Sequence, residues 1–180
     1  METFETIKSK NYVADIYYDD DCPSPRDAEW TDNFGTLIAF HSRYNLSDSD
    51  AWCEEELLDH VNRDDIFALP VYIYEHGGIS LSTSEFMCKW DSGQVGYIFA
   101  SHEGIVKEFG ELDLKKAEKL FDSELETYTK YLNGECFGYT IAYKNADEQG
   151  YRDIDTCWGF IGSEYIKEEV NAILKNLEEK

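Results

Sequence analysis

Two adjacent glycines near the middle of the chain set the tightest limit on its fold. In Glu75-His76-Gly77-Gly78-Ile79 they separate two runs rich in β-branched and aromatic residues. Glycine adopts, without steric penalty, the positive φ angles that a two-residue primed turn requires. The pattern predicts a β-hairpin, and with it an antiparallel sheet. A turn on Gly77-Gly78 puts Tyr72, Tyr74 and His76 on one face with Ile79, Leu81 and Thr83. Val71 and Ile73 then share the other face with Ser80, Ser82 and Ser84.

Other strand-like runs surround this hairpin. They cover 12–18, 35–41, 66–76, 79–84, 93–101, 136–143 and 156–161, each bounded by Gly, Asp, Asn or Ser. Apolar residues at helical spacing predict a short helix over 49–62, capped by Asp48 or Ser49, and long helices over 113–132 and 163–178. In the first, Trp52, Leu57, Leu58 and Val61 turn to one side; Asn133-Gly134 stops the second. The long helices come late and do not alternate with strands, so the order is not that of a parallel βαβ fold. The expected class is α+β: a mostly antiparallel sheet of about five to seven strands, with two long helices and one shorter helix on one face. With 180 residues and no linker-like stretch, residues 1–180 read as a single acidic domain.

Charge bears on function. The net charge is −22, from 38 acidic and 16 basic residues. The acids are spread along the chain and form no tail. Such a field repels nucleic acid and anionic membrane and favours basic partners or plain solubility. Thirteen Tyr, ten Phe and four Trp argue against disorder. The N-terminal METFETIKSK has no apolar core, and no apolar run is long enough for a membrane helix, so a cytoplasmic protein is expected. The five cysteines, Cys22, Cys53, Cys88, Cys136 and Cys157, form no C-x-x-C and read as reduced, mostly buried thiols.

Few clusters carry chemistry. Phe40-His41-Ser42-Arg43-Tyr44 leaves a strand for a polar loop. It offers a general base, a nucleophile and an anion clamp, or else an Arg paired with a carboxylate and a packed His. Cys88 to Gly96 is a polar stretch beside a strand, in which Asp91 and Ser92 suit an Asx-type turn and Gly93 a tight reversal. Its catalytic reading takes Asp91 as base and Gln94 as oxyanion donor. His41 and His76 fall at strand ends, where a metal held with Asp32 or Asp91 is conceivable. Four scattered His give no ligand spacing, so neither metal nor cofactor is expected. Cys157-Trp158 and Cys88 near Trp90 read as core thiols, since an activated thiol needs a cationic neighbour and the chain has few cations to offer. No P-loop, G-x-G-x-x-G, H-E-x-x-H or G-x-S-x-G occurs.

Asp32-Asn33-Phe34-Gly35, FHSRYNL at 40–46, LPVYIYEHGGISLSTSEF at 69–86, WDSGQVGYIF at 90–99 and CWGF at 157–160 resemble a family of small acidic proteins encoded by bacteriophages and mobile elements. The resemblance spans roughly 32–161. It implies a phage or mobile-element setting and assigns no residue roles. In that setting an acidic protein can occupy the basic nucleic-acid channel of a host defence complex, because such a channel is built to neutralise the dense negative charge of DNA, which an acidic face can imitate. Its partner is then a basic host protein or nucleoprotein complex, with no direct nucleic-acid binding. The expected contact residues are Asp48, Asp50, Glu54, Glu55, Glu56 and Asp59. Two alternatives stand beside this one. The first is a small hydrolase or nuclease using His41, Arg43, His76, Asp91 and Gln94 at the sheet end; the second is a non-catalytic accessory protein.

Overall fold

The computed structural model describes residues 1–27, 33–145 and 150–179. They form an α+β fold with eight strands in two antiparallel sheets and four helices among the described residues. The contacts divide the chain into two compact units: residues 1–23 with 130–180, and residues 24–129. The chain passes between them twice, first in the loop at Pro23-Ser24 and again between Thr129 and Lys130, inside a helix.

The first unit is built from both parts of the chain that flank the second. Its sheet has the order β1-β2-β7-β8, from β1 (Thr3–Lys8), β2 (Tyr12–Tyr18), β7 (Cys136–Asn145) and β8 (Gly150–Ile161). Helix α4 (Ser163–Glu178) lays Ile166, Val170 and Leu174 on Ala14, Ile16, Phe137, Tyr139 and Ile141. Burying such side chains stabilises by about 1.5–3 kcal/mol each. β1 escapes sequence reading because TFETIK has only two large apolar side chains. Those two, Phe4 and Ile7, pack against this core once β2 fixes the strand.

The second unit has the sheet order β3-β6-β4-β5, from β3 (Thr36–Ala39), β4 (Ile66–Glu75), β5 (Ile79–Ser82) and β6 (Ser92–Ser101). Its sheet is covered on both faces, not one. Helix α1 (Glu54–Val61) sets Leu57 on Ile38 and Phe99. On the opposite face α3 (Leu114–Leu132) brings Phe121 against Phe67, their rings stacked at 5.7 Å. A fourth helix, α2 (His102–Phe109), follows β6 directly. Ser101 caps it by accepting the Gly104 N–H at 3.0 Å, and Gly110, at φ 78°, ends it. Two sheets of four strands and a fourth helix replace the single sheet of five to seven strands and three helices. Pro70 sits in β4 beyond the reach of β5, where its missing N–H costs no bond on that side.

The hairpin is present, but its register differs from expectation. Glu75 pairs with Ile79, Tyr74 with Ser80 and Ile73 with Leu81, so the loop holds three residues, with Gly77 alone at positive φ. The shift of one residue exchanges the faces. Val71 and Ile73 join Ile79 and Leu81 in the buried layer, and the tyrosines join the serines. Core burial selects this pairing, since the other would have split the aliphatic residues between faces.

Candidate functional site

The site surface of the second unit rests on one buried cation. Arg26 is 8% exposed, the one buried charged side chain among the described residues. Its guanidinium grips Asp48 with Nε at 2.8 Å from Oδ1 and Nη2 on Oδ2. It also donates from Nη1 to Glu124 Oε2 at 3.0 Å and from Nη2 to the Gly35 carbonyl at 2.7 Å. Glu124 in turn accepts the Phe34 N–H at 2.6 Å, and Asp48 Oδ2 accepts the Leu37 N–H at 2.7 Å. Burial works against the Arg26 charge, but Asp48 and Glu124 outweigh it and push the pKa up. Asp48 therefore does not cap α1; its carboxylate is engaged by Arg26 and the Leu37 N–H. It fixes the segment that leads to α1.

α1 begins at Glu54, later than the predicted 49, with Cys53 at its N-cap. Glu56 reaches back to accept the Cys53 N–H at 3.1 Å, and that backbone bond holds its carboxyl below the usual range. Of the six expected contact acids, Asp48 and Glu56 thus have structural partners. Asp50, Glu54, Glu55 and Asp59 are exposed and make no ion pair among the described residues. No Lys or Arg occurs from 44 to 62. Leu57 points inward, which turns Glu55 and Asp59 to solvent. Leu58, expected on the inner side, is exposed. Beside Glu54 it borders a groove of about 320 Å³ with Phe40, Gln94, Val95 and Tyr97, whose wall is about equally polar and apolar.

Phe40 and Gln94 also border the neighbouring cleft, about 480 Å³, lined by His41, Arg43, Glu75, Trp90 and Asp91 among others. Four of the five expected catalytic residues therefore meet at one sheet end, because β3 and β4 end there and β6 begins there. His76 joins them through Asp91, with Nδ1 at 3.4 Å from Oδ2. Glu75 was not anticipated. It stands between His41 and Arg43, 3.4 Å from His41 Nε2 and 2.7 Å from Arg43 Nη2.

These side chains are paired with one another. His41 Nδ1 accepts the N–H groups of Arg43 and Tyr44, both at 3.3 Å, so the ring proton lies on Nε2 and faces Glu75. Gln94 donates to the Gly96 carbonyl at 3.3 Å. The expected Asx-type turn is replaced by a Ser92 hydroxyl that donates to the Cys88 carbonyl at 2.6 Å. Gly93 lies within the β4–β6 ladder with open space at its missing Cβ, not in a reversal. His41 and His76, the pair weighed as metal ligands, engage different carboxylates, Glu75 and Asp91, and Asp32 lies outside the described residues. No group of three His, Cys, Asp or Glu placed to hold a metal occurs among the described residues.

Large apolar side chains are also open to solvent. Trp90 is 96% exposed and Met87 is fully exposed. Exposed apolar side chains, Trp90 and Phe40 at the cleft and Leu58 at the neighbouring groove, characterise contact surfaces more than enzyme clefts. No helix among the described residues is long and apolar enough to cross a membrane. Compared with models of protein families, with curated proteins and with solved structures, the chain matches none.

Proposed function

We propose that this protein acts by binding, and that its partner is a basic, nucleic-acid-handling complex of the host defence type, such as a CRISPR effector or restriction enzyme, in the cytoplasm of a phage-infected cell. The observation that carries the reading is the surface of the second unit. Four exposed acids, Asp50, Glu54, Glu55 and Asp59, lie in a stretch without any Lys or Arg, and Glu54 among them borders the groove that Phe40, Leu58, Val95 and Tyr97 line. Carboxylates on this stretch steer a cationic surface into place, and Phe40 and Leu58 in the groove, with Trp90 in the neighbouring cleft, supply the desolvated contact that holds it. The spread of the charge over the whole chain supports solubility as well.

The test is inhibition of target-DNA binding by a panel of purified effectors and restriction enzymes. Wild-type protein should block at least one of them, less strongly as salt rises. Changing Glu54, Glu55 and Asp59 together to Lys should weaken that block by at least about tenfold, with a flatter salt dependence. A triple variant that inhibits as the wild type does removes α1 from the contact.

A hydrolase is the second reading, favoured by the convergence of His41, Arg43, Asp91 and Gln94 on one cleft. The committed nitrogens of His41 weigh against it, since a general base needs a lone pair facing substrate. Turnover of ester, phosphodiester or nucleic-acid substrates that falls at least about a hundredfold in His41→Gln and Asp91→Asn would reverse the order of the two readings.

A further inference from the structure

The first unit holds a pair of thiols brought together by strand register. Tyr18 of β2 stands opposite Phe137 of β7, and the Asp19 N–H donates to the Cys136 carbonyl at 2.9 Å. The chain then turns, with the Asp21 N–H bonded to Asp19 Oδ1 at 3.2 Å. That turn folds Cys22 back beside the start of β7, where its thiol, which donates to the Pro23 carbonyl at 3.6 Å, faces the same cavity as that of Cys136. Both line a cavity of about 540 Å³ together with Glu2, Asp19, Asp20 and Tyr131. Cys136 is 5% exposed and Cys22 is half-buried.

We infer that Cys22 and Cys136 form a reversible thiol–disulfide pair, closed by a low-molecular-weight disulfide that enters this cavity. The three acidic side chains at its wall favour a cationic disulfide over an anionic one. Cys22, the more open thiol, attacks as thiolate and breaks the S–S bond of the small disulfide. One half leaves as a thiolate and takes up a proton. Cys136 then gives up its proton and attacks the Cys22 sulfur, which expels the second half. Two protein thiols lose two electrons and two protons, and one small disulfide becomes two small thiols. Burial pushes both thiols up, Cys136 to about 12, while the neighbouring Cys136 thiol offsets part of that rise at Cys22. The roles follow: Cys22 attacks and Cys136 resolves. Residues 24–129 lie between the two cysteines in sequence, so the bond would fasten the place where the chain leaves the first unit to the place just after it returns.

The experiment treats native protein with cystamine and digests it with trypsin without reductant. The wild type should yield peptide 11–26 linked to peptide 131–144, and dithiothreitol should separate them. Cys136→Ser should retain half a cystamine on Cys22, and Cys22→Ser should leave Cys136 unmodified. The exposed Cys53 and Cys157 take up cystamine in every case and verify the reagent. The linked form should melt roughly 5–10 °C higher than the reduced one. Three results would each overturn the pairing: no linked peptide from native protein, a linkage formed only in denaturant, or a wild type that keeps half a cystamine on Cys22.

Discussion

Arg26→Met is expected to lower folding stability by about 3–5 kcal/mol, because removing one partner from a buried ionic cluster leaves the other charges desolvated. The side chains of Arg26 and Glu124 are 4% and 11% exposed, and Asp48 is 21% exposed. Methionine fills much the same volume as the arginine stem, so the loss reports charge and hydrogen bonding and not a void. Asp48 and Glu124 lose their cation, and the Gly35 carbonyl loses its donor. Chemical denaturation measures the effect as a lower midpoint. Adding Asp48→Asn and Glu124→Gln to Arg26→Met should restore part of the loss, since neutral amides are cheaper to bury than carboxylates. A cost below about 1 kcal/mol would mean that water reaches the cluster and that Arg26 does not hold these segments together.

Gly96→Ala is expected to cost about 3 kcal/mol or more, the upper range for overpacking. A Cβ at this position would lie 2.0 Å from the Ile38 carbonyl oxygen and 2.7 Å from the Ala39 Cα. These are backbone atoms of the neighbouring strand and cannot rotate away. β3 meets β6 over only four residue pairs, so there is little pairing to resist displacement, and β3 carries the fully buried Leu37 and Ile38. Loss of β3 would also release Phe40 and His41, which follow it into the cleft. Gly93→Ala three residues earlier has open space around its Cβ and should stay within about 0.5 kcal/mol of wild type. Equal melting of the two variants would contradict the close approach of β3 and β6.

The fold class was legible because it depends on local signals. Glycine punctuation, β-branched runs and helical spacing mark strands and helices wherever they occur. Register was not legible, because Gly77-Gly78 serves a two-residue or a three-residue loop equally well; only the joint burial of Ile73 and Leu81 selects one. The division into two sheets was invisible for a similar reason: no local signal says that Tyr12 pairs with Tyr143 while Thr36 pairs with Phe99. At the cleft, His41, Arg43, Asp91 and Gln94 could be singled out by their place at strand ends. Glu75 could not, since one glutamate among 38 acids carries no mark of its own. Asp48 looked like part of an acidic face because its partner, Arg26, sits in a Pro-flanked loop that gives no sign of burial.

The pairing of β2 with β7 also fixes an order of assembly. During synthesis the β1–β2 hairpin emerges early, yet its open edge has no partner until more than 110 residues later, when β7 leaves the ribosome. Two strands alone are marginal in water, and closing so long a loop before any contact forms is slow. Residues 24–129, whose sheet and helices are contiguous in sequence, can fold in the interval. The unpaired strand is then a template exposed to other nascent chains for seconds at translation rates of about 5–20 residues per second. Asp15, at the centre of β2, sets a charge in that waiting edge, a device that discourages pairing with the wrong strand.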